Sequence, residues 1–317
     1  MSKGKVFITD YGFADLQQES DMLTALGYEV HSAKSTTEEE IIMNAGDADA
    51  LLVQWAPVTA KVIANLRKCR VIVRYGIGVD NIDLEAARQK SIPVCNVPDY
   101  CIHEVADHTI SLALALARQL TETNSRMKQG IWKIIPPHPM PAFRDMVFAT
   151  IGYGRIAREV LKRSYSFGFM VGAYDPNITD QQMLDEGVQP FTFEELITKS
   201  DIISLHLPLN EETRHIINIT TINKMKKGAI LINTSRGGLI DTTALTAALE
   251  QRKILAGLDV FETEPLPESH PLWQSEHALL TSHIAWYSER SVPQLQHMAA
   301  EEVLRGLRGE ALKNRVL

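Results

Sequence analysis

Cysteine is scarce in this chain, three in 317 residues, and Cys69, Cys95 and Cys101 show neither an even count nor a metal-ligand spacing. A disulfide scaffold is thereby excluded, and the usage points to a reducing, cytoplasmic setting. Long hydrophobic runs are absent too. The longest candidate, around Ile110–Ala117, falls well short of the roughly 20 residues a membrane span needs, and it belongs to an amphipathic pattern. The opening MSKGKVFITD enters a strand pattern at Lys5, which leaves no room for a signal peptide. Positive charge is not in excess: 32 Lys and Arg against 39 Asp and Glu give a net charge of −7. That balance argues against a nucleic-acid partner, which calls for a basic face. With no internal repeat and no low-complexity segment, disorder and fibrous folds are excluded as well.

What the chain does have is alternation. Val6–Thr9, Glu29–Ser32, Ala50–Val53, Val71–Arg74 and Val94–Asn96 read as buried strands. Between them Asp15–Leu26, Glu38–Ala45, Val62–Leu66 and Leu84–Gln89 read as helices, with Thr37 and Asp83 placed as N-caps. A long periodic helix, His103–Leu120, and an irregular Pro-rich stretch, Ile134–Pro141, break the rhythm. A second series then begins. Its strands are Val147–Ile151, Met170–Asp175, Asp201–Leu205, Ala229–Asn233, Ile254–Asp259 and Ala278–Thr281. Its helices are Ile156–Phe167, Glu194–Lys199, Ile219–Lys224 and Thr242–Glu250, and a last helix, Val292–Leu307, has no strand after it. Such alternation implies right-handed βαβ units and parallel sheets covered on both faces. The expected fold is α/β with two doubly wound domains: residues 1–100 plus 287–317, and residues 101–286 inserted between them.

The segment VFATIGYGRIA supplies a strand, then Gly152, Gly154 and Ala157, then a helix. In a dinucleotide site the first glycine makes the tight turn and the second lets backbone approach the pyrophosphate. The third position must be small for the helix to pack on the strand. Asp175 follows Gly154 by 21 positions, near the offset of about 20 at which an acidic side chain takes the ribose hydroxyls. A carboxylate there repels a 2′-phosphate, so NAD is favoured over NADP; the bland reading of Asp175 is a turn cap before Pro176. Upstream, RYGIGVDN also holds two glycines after a strand, but Asn81 occupies the third position. Its amides around Gly76, Ile77 and Gly78 make a nest for a small anion. Arg74 beside them is either a surface charge or a reader of substrate.

Three polar residues follow strand ends in the second series: Arg236 in INTSRGGLID, Glu264 in LDVFETEP and His283 in TSHIAWYSE. Open α/β sheets place their ligands at that edge. A guanidinium fork, a carboxylate and an imidazole together suit reduction of a 2-keto acid. The Arg holds carboxylate and carbonyl oxygens, and the carboxylate orients an imidazole that gives or takes the proton. Taken singly, each has a structural reading: a surface Arg paired with Asp241, a turn acid before Pro265, one histidine among ten. The histidines of HEVADH, His103 and His108, are five apart rather than the four a zinc-binding helix face needs, so no metal is expected.

These blocks resemble the D-isomer-specific 2-hydroxyacid dehydrogenase family, which includes D-3-phosphoglycerate dehydrogenases. The likeness runs through RYGIGVDNID, CNVPDY, EVADHT, IGYGRIA, SLHLPLNEETRHIIN, INTSRGGLID, LDVFETEP and TSHIAWYSE. YGIGVDN, VCNVPDY and HIAWYSE are most similar to bacterial relatives of the C-terminal-binding protein, a NAD-binding corepressor. The resemblance implies a Rossmann NAD-binding domain inserted into a flavodoxin-like substrate domain, and a homodimer formed through the cofactor domains. It implies catalytic Arg236, Glu264 and His283. It also implies NAD(H) contacts from Gly152, Tyr153, Gly154, Arg155, Ile156, Asp175, Leu207, Pro208, Thr213, Thr234, Asp259 and His283. Substrate contacts would come from Arg74, Gly76, Ile77 and Gly78. Trp286 would line the substrate pocket or pack at a subunit interface. The activity implied is NAD-dependent interconversion of a 2-keto acid and a D-2-hydroxy acid; the alternatives are a D-3-phosphoglycerate dehydrogenase and a NAD-sensing scaffold. Two departures stand out: Ala149 and Thr150 replace the usual glycine and aliphatic residue, and an end one helix past His283 leaves no room for a C-terminal regulatory domain.

Overall fold

The computed structural model describes residues 2–35, 37–136 and 138–317, so Pro137 of the Pro-rich stretch lies outside the described residues. The chain divides into two compact units, Met1–Cys101 with Tyr287–Leu317, and Ile102–Trp286.

The first unit alternates β1 (Lys5–Ile8), α1 (Gln17–Thr24), β2 (Glu29–Ser32), α2 (Glu38–Ala45), β3 (Ala50–Val53), α3 (Ala60–Asn65), β4 (Val71–Arg74), α4 (Leu84–Gln89) and β5 (Val94–Cys95). Its five strands pair in parallel in the order β2-β1-β3-β4-β5. Apolar residues at every position of β3 make sense there, because a central parallel strand is covered on both faces. Thr37 and Asp83 cap their helices through side-chain oxygens that accept the Glu40 and Ala86 amides. Here the order reverses between β1 and β3, and the loops that leave their carboxyl ends are where such sheets take ligands.

The second unit opens with α5 (Ile102–Ala117) and α6 (Leu120–Lys128). Then come β6 (Val147–Ile151), α7 (Arg155–Ser166), β7 (Met170–Tyr174), α8 (Asp180–Asp185), β8 (Gln189–Pro190), α9 (Phe193–Lys199) and β9 (Ile202–Leu205). The unit closes with α10 (Ile219–Lys224), β10 (Ala229–Asn233), α11 (Thr242–Glu250), β11 (Ile254–Leu258) and β12 (Ala278–Leu280). Seven parallel strands run β12-β11-β10-β9-β6-β7-β8, so the switch point lies between β6 and β9. The last helix, α12 (Ser291–Arg308), returns to the first unit and packs against α1, β3 and β4. Two doubly wound parallel-sheet units are thus the fold.

Three local differences from the sequence reading have physical causes. The helix expected over His103–Leu120 breaks at Gln119, whose backbone is left-handed (φ 51) and whose side-chain amide donates to the His138 and Pro139 carbonyls. Helix α6 buries no residue, so it carries no apolar stripe for periodicity to find. Strand β8 has only two residues and includes Pro190, which leaves almost nothing of a strand signature.

Candidate active site

At the switch point of the second unit, β6 ends in a glycine turn. Gly152 has φ +97, and a Cβ there would fall 2.2 Å from the His206 carbonyl oxygen, so only glycine fits. A Cβ on Gly154 would meet nothing within 4 Å, so backbone is open to an approaching group. Helix α7 begins at the next residue, and its free amides and dipole suit the pyrophosphate of a dinucleotide. Asp175 closes the turn from β7: one carboxylate oxygen accepts the Tyr153 amide at 2.9 Å and the other the Asn177 amide at 2.9 Å. Each oxygen keeps a lone pair for a hydroxyl. The turn-cap role is therefore real, and it orients the carboxylate rather than consuming it.

Tyr153 is turned away from this opening. Its ring is 2% exposed, its hydroxyl donates to Glu186 at 2.8 Å, and the Arg158 guanidinium lies 4.1 Å over the ring. Thr234 likewise directs its hydroxyl inward, 2.8 Å from that of Thr109. Arg155 and Ile156 begin α7. On the facing side the loop after β9 folds on itself, with the Thr213 hydroxyl donating to the Pro208 carbonyl at 2.7 Å. Leu207 packs against the core beneath. His206 at the end of β9 is desolvated enough to lie at about 3, which keeps the imidazole neutral beside the Ser204 hydroxyl.

Next to this opening are the three polar residues from β10, β11 and β12. His283 Nδ1 lies 2.7 Å from Glu264 Oε2, and the other carboxylate oxygen accepts the Phe261 amide at 2.8 Å. Burial alone pulls the Glu264 carboxyl up, but the hydrogen bond and charge of His283, the Phe261 amide and the charge of Arg236 outweigh it. The carboxyl therefore stays below its ordinary value and ionised at neutral pH. An ionised acceptor fixes the Nδ1–H tautomer and leaves Nε2 as the working nitrogen. Arg236 is held by its own backbone, with Asn233 donating to its carbonyl at 2.8 Å and its guanidinium donating to the Ser235 carbonyl at 2.8 Å. Gly237 brings this loop onto the next: a Cβ there would fall 1.9 Å from the Phe261 carbonyl carbon.

Asp259, fully buried, sets the loop that carries His283. Its carbonyl accepts the His283 amide at 2.8 Å, and its carboxylate accepts the Ile284 and Ala285 amides and the Thr281 hydroxyl. His283 itself has φ 55, a conformation that needs such restraint. Trp286 closes the turn by donating its indole N–H to the His283 carbonyl at 2.8 Å.

The sequence reading missed two supports. His215 Nε2 lies 2.6 Å from Glu262, whose other oxygen accepts the first amide of α11. The His108 ring lies 2.9 Å from the Thr281 hydroxyl, which donates to Asp259.

In the first unit, Arg74 ends β4 and donates from Nε to the Gln54 carbonyl at 3.2 Å. Its guanidinium lies against Gly76, which has φ +138. The Gly76 and Ile77 carbonyls are taken by the Val97 amide and the Asn96 side chain. The Ile77 and Gly78 amides make no hydrogen bond among the described residues. Among the described residues no group of three or more His, Cys, Asp or Glu could hold a metal ion.

Residues 110–285 match the family model for "D-isomer specific 2-hydroxyacid dehydrogenase, NAD binding domain". Over 98% of its length the chain is 38% identical to a D-3-phosphoglycerate dehydrogenase from Methanocaldococcus jannaschii, of which it spans 59%. It is 36% identical to a glyoxylate reductase from Korarchaeum cryptofilum, over 88% of this chain and 86% of that one. A solved D-lactate dehydrogenase from Aquifex aeolicus, complexed with NAD and lactic acid, superposes with a TM-score of 0.89 over 98% of each chain, at 27% identity.

Proposed function

Because the chain belongs to the D-isomer-specific 2-hydroxyacid dehydrogenase family, we propose that it interconverts a small 2-keto acid and its D-2-hydroxy acid. The observation that carries the reading is the His283–Glu264 hydrogen bond of 2.7 Å beside Arg236. NADH, when bound, supplies the hydride to the carbonyl carbon. The open backbone at Gly154, the α7 amides and the oriented Asp175 carboxylate fit that cofactor. Asp175 also disfavours a 2′-phosphate.

In the direction of reduction, protonated His283 gives its Nε2 proton to the carbonyl oxygen, while Glu264 holds the ring and stabilises the imidazolium. In oxidation the neutral ring takes the proton back. Arg236 stabilises charge on the substrate oxygens. Asp259 keeps the His283 loop in register. Arg74 and the Ile77 and Gly78 amides take the substrate carboxylate, a role that free amides and a restrained guanidinium suit. Trp286, tied to the His283 carbonyl, restricts the size of the substrate side chain.

We further propose a homodimer formed through the second unit. Helix α6 buries nothing, and the segment after it exposes Trp132 (78%), Ile134 (92%) and Ile135 (81%), a surface that single chains rarely leave in water.

The test is NADH oxidation with a panel of 2-keto acids that includes glyoxylate, pyruvate and phosphohydroxypyruvate, repeated with His283→Ala. Turnover with at least one acid, lost in the variant while NADH still binds, is the expected result. Tight NADH binding with no turnover on any acid overturns the reading in favour of a NAD-sensing scaffold. Exclusive use of the phosphorylated acid identifies the phosphoglycerate reaction instead.

A further inference from the structure

The core of the first unit holds a carboxylate with no cation beside it among the described residues. Glu19 of α1 is 0% exposed, and burial pushes its carboxyl above the ordinary range. The Tyr75 hydroxyl donates to its Oε1 at 2.7 Å, and the Gln296 amide of α12 donates to its Oε2 at 2.9 Å and to the Asp15 carbonyl at 2.9 Å. Tyr75 is 1% exposed, and the Phe13 ring stands edge-on to it with centroids 5.1 Å apart. Residues 19, 75 and 296 lie far apart in sequence, yet both Glu19 oxygens, the Tyr75 hydroxyl and the Gln296 amide nitrogen find partners.

An apolar trio of the same volume would fold at lower cost, since burying a carboxylate is penalised and hydrophobic replacements are often neutral or better. What an apolar trio lacks is direction. A phenol with a fixed acceptor sits at one depth and one rotation, and a satisfied polar network rigidifies what it touches. Tyr75 lies between Arg74 and Gly76. Its amide is bonded to the Val53 carbonyl, and its side chain points down into the trio. With Tyr75 pinned at both ends, Arg74 is set against Gly76 and Gln54, and the chain leaves Gly76 with the Ile77 and Gly78 amides unbonded.

We propose that Glu19, Tyr75 and Gln296 form a buried anchor that positions Arg74 and the Ile77–Gly78 amides for the substrate carboxylate. The proposal rests on the assignment of that segment made above. These are positioning residues: none touches substrate, and their effect must pass through the Arg74–Gly78 backbone.

The experiment compares Tyr75→Phe, Glu19→Gln, Gln296→Leu and Arg74→Leu in the full-length chain, with steady-state kinetics, NADH binding by fluorescence and thermal melts. Tyr75→Phe keeps the ring and removes only the hydroxyl. It is expected to raise KM for the keto acid about tenfold, with kcat within about twofold and NADH affinity unchanged. Gln296→Leu gives the same split, and covers the case in which Tyr75→Phe does not fold. Glu19→Gln still offers an oxygen to the phenol, so its KM lies between wild type and Tyr75→Phe. Arg74→Leu separates the two layers of the argument. If it leaves KM unchanged, the carboxylate assignment fails. If it raises KM while Tyr75→Phe and Gln296→Leu lower only the melting temperature, the trio is merely structural and the proposal is overturned.

Discussion

Replacing Glu264 by Gln tests the proton chemistry most directly. The His283–Glu264 contact is a charge-assisted hydrogen bond at 2.7 Å between side chains 28% and 33% exposed. Such a bond is worth about 1.5–3 kcal/mol when shielded, and with a third of each group in water about 2 kcal/mol is the working figure. That alone is about 30-fold in rate. Donor counting adds to it. Glu264 uses both oxygens as acceptors, one for the Phe261 amide and one for His283 Nδ1–H, whereas Gln has a single acceptor oxygen. If that oxygen stays with Phe261, an NH2 group faces Nδ1 and moves the ring proton to Nε2, the wrong tautomer. Turnover should therefore fall about 100-fold or more, with NADH affinity unchanged, and Glu264→Gln should be no better than Glu264→Ala. The pH profile carries a matching sign. A carboxyl held below its ordinary value stays ionised until the pH falls through that lowered value, so the wild-type pair persists below pH 4.5. Its stabilising contribution is complete above pH 4.5 and is lost as the pH falls through the lowered value. The assay is kcat for keto-acid reduction across pH in both variants. A Glu264→Gln enzyme that keeps more than half of wild-type turnover refutes the reasoning.

The Thr150 hydroxyl is fully buried under the glycine turn with no partner among the described residues; Thr150→Val should stabilise by about 1 kcal/mol, and a lower melting temperature would contradict this. Asp175→Ala should weaken NADH at least tenfold and narrow the preference over NADPH, as read by paired fluorescence titrations; an unchanged ratio removes Asp175 from cofactor selection. Trp132→Asp with Ile135→Asp should convert the dimer to a monomer on size exclusion with light scattering, and a wild-type chain that is already monomeric at tens of micromolar rules out the proposed interface.

Much of this architecture is legible because parallel strands buried on both faces read as short apolar runs. Most of the helices carry either an apolar stripe or a side-chain cap that marks them, and Asp83 before Leu84–Gln89 is an example. What stayed hidden was α6 with no buried face, β8 with two residues, and α8, whose Thr179–Gln182 capping box opens a helix of only six residues with one buried side chain. The candidate site divides the same way. Sequence spacing could propose Arg236, Glu264 and His283 because each follows a strand end, and the topology brings those ends to one edge. It could not decide which way a side chain turns. Tyr153 and Thr234 sit at expected cofactor positions, yet the one directs its ring and the other its hydroxyl into the core. The anchoring roles of Asp259 and His108 depend on distances across 22 to 173 residues of sequence, which no local pattern encodes.

Asp259 has a consequence for the dynamics of the chain. The segment His283–Ala285 belongs to no strand or helix, and a segment of that kind ordinarily exchanges its amide hydrogens within seconds. Here three successive amides end on one buried residue, through its carbonyl and both carboxylate oxygens. Exchange must wait until the end of β11 opens, so these amides should share the slow exchange of the sheet core. The residue proposed to move the proton would then sit on a loop whose backbone does not breathe.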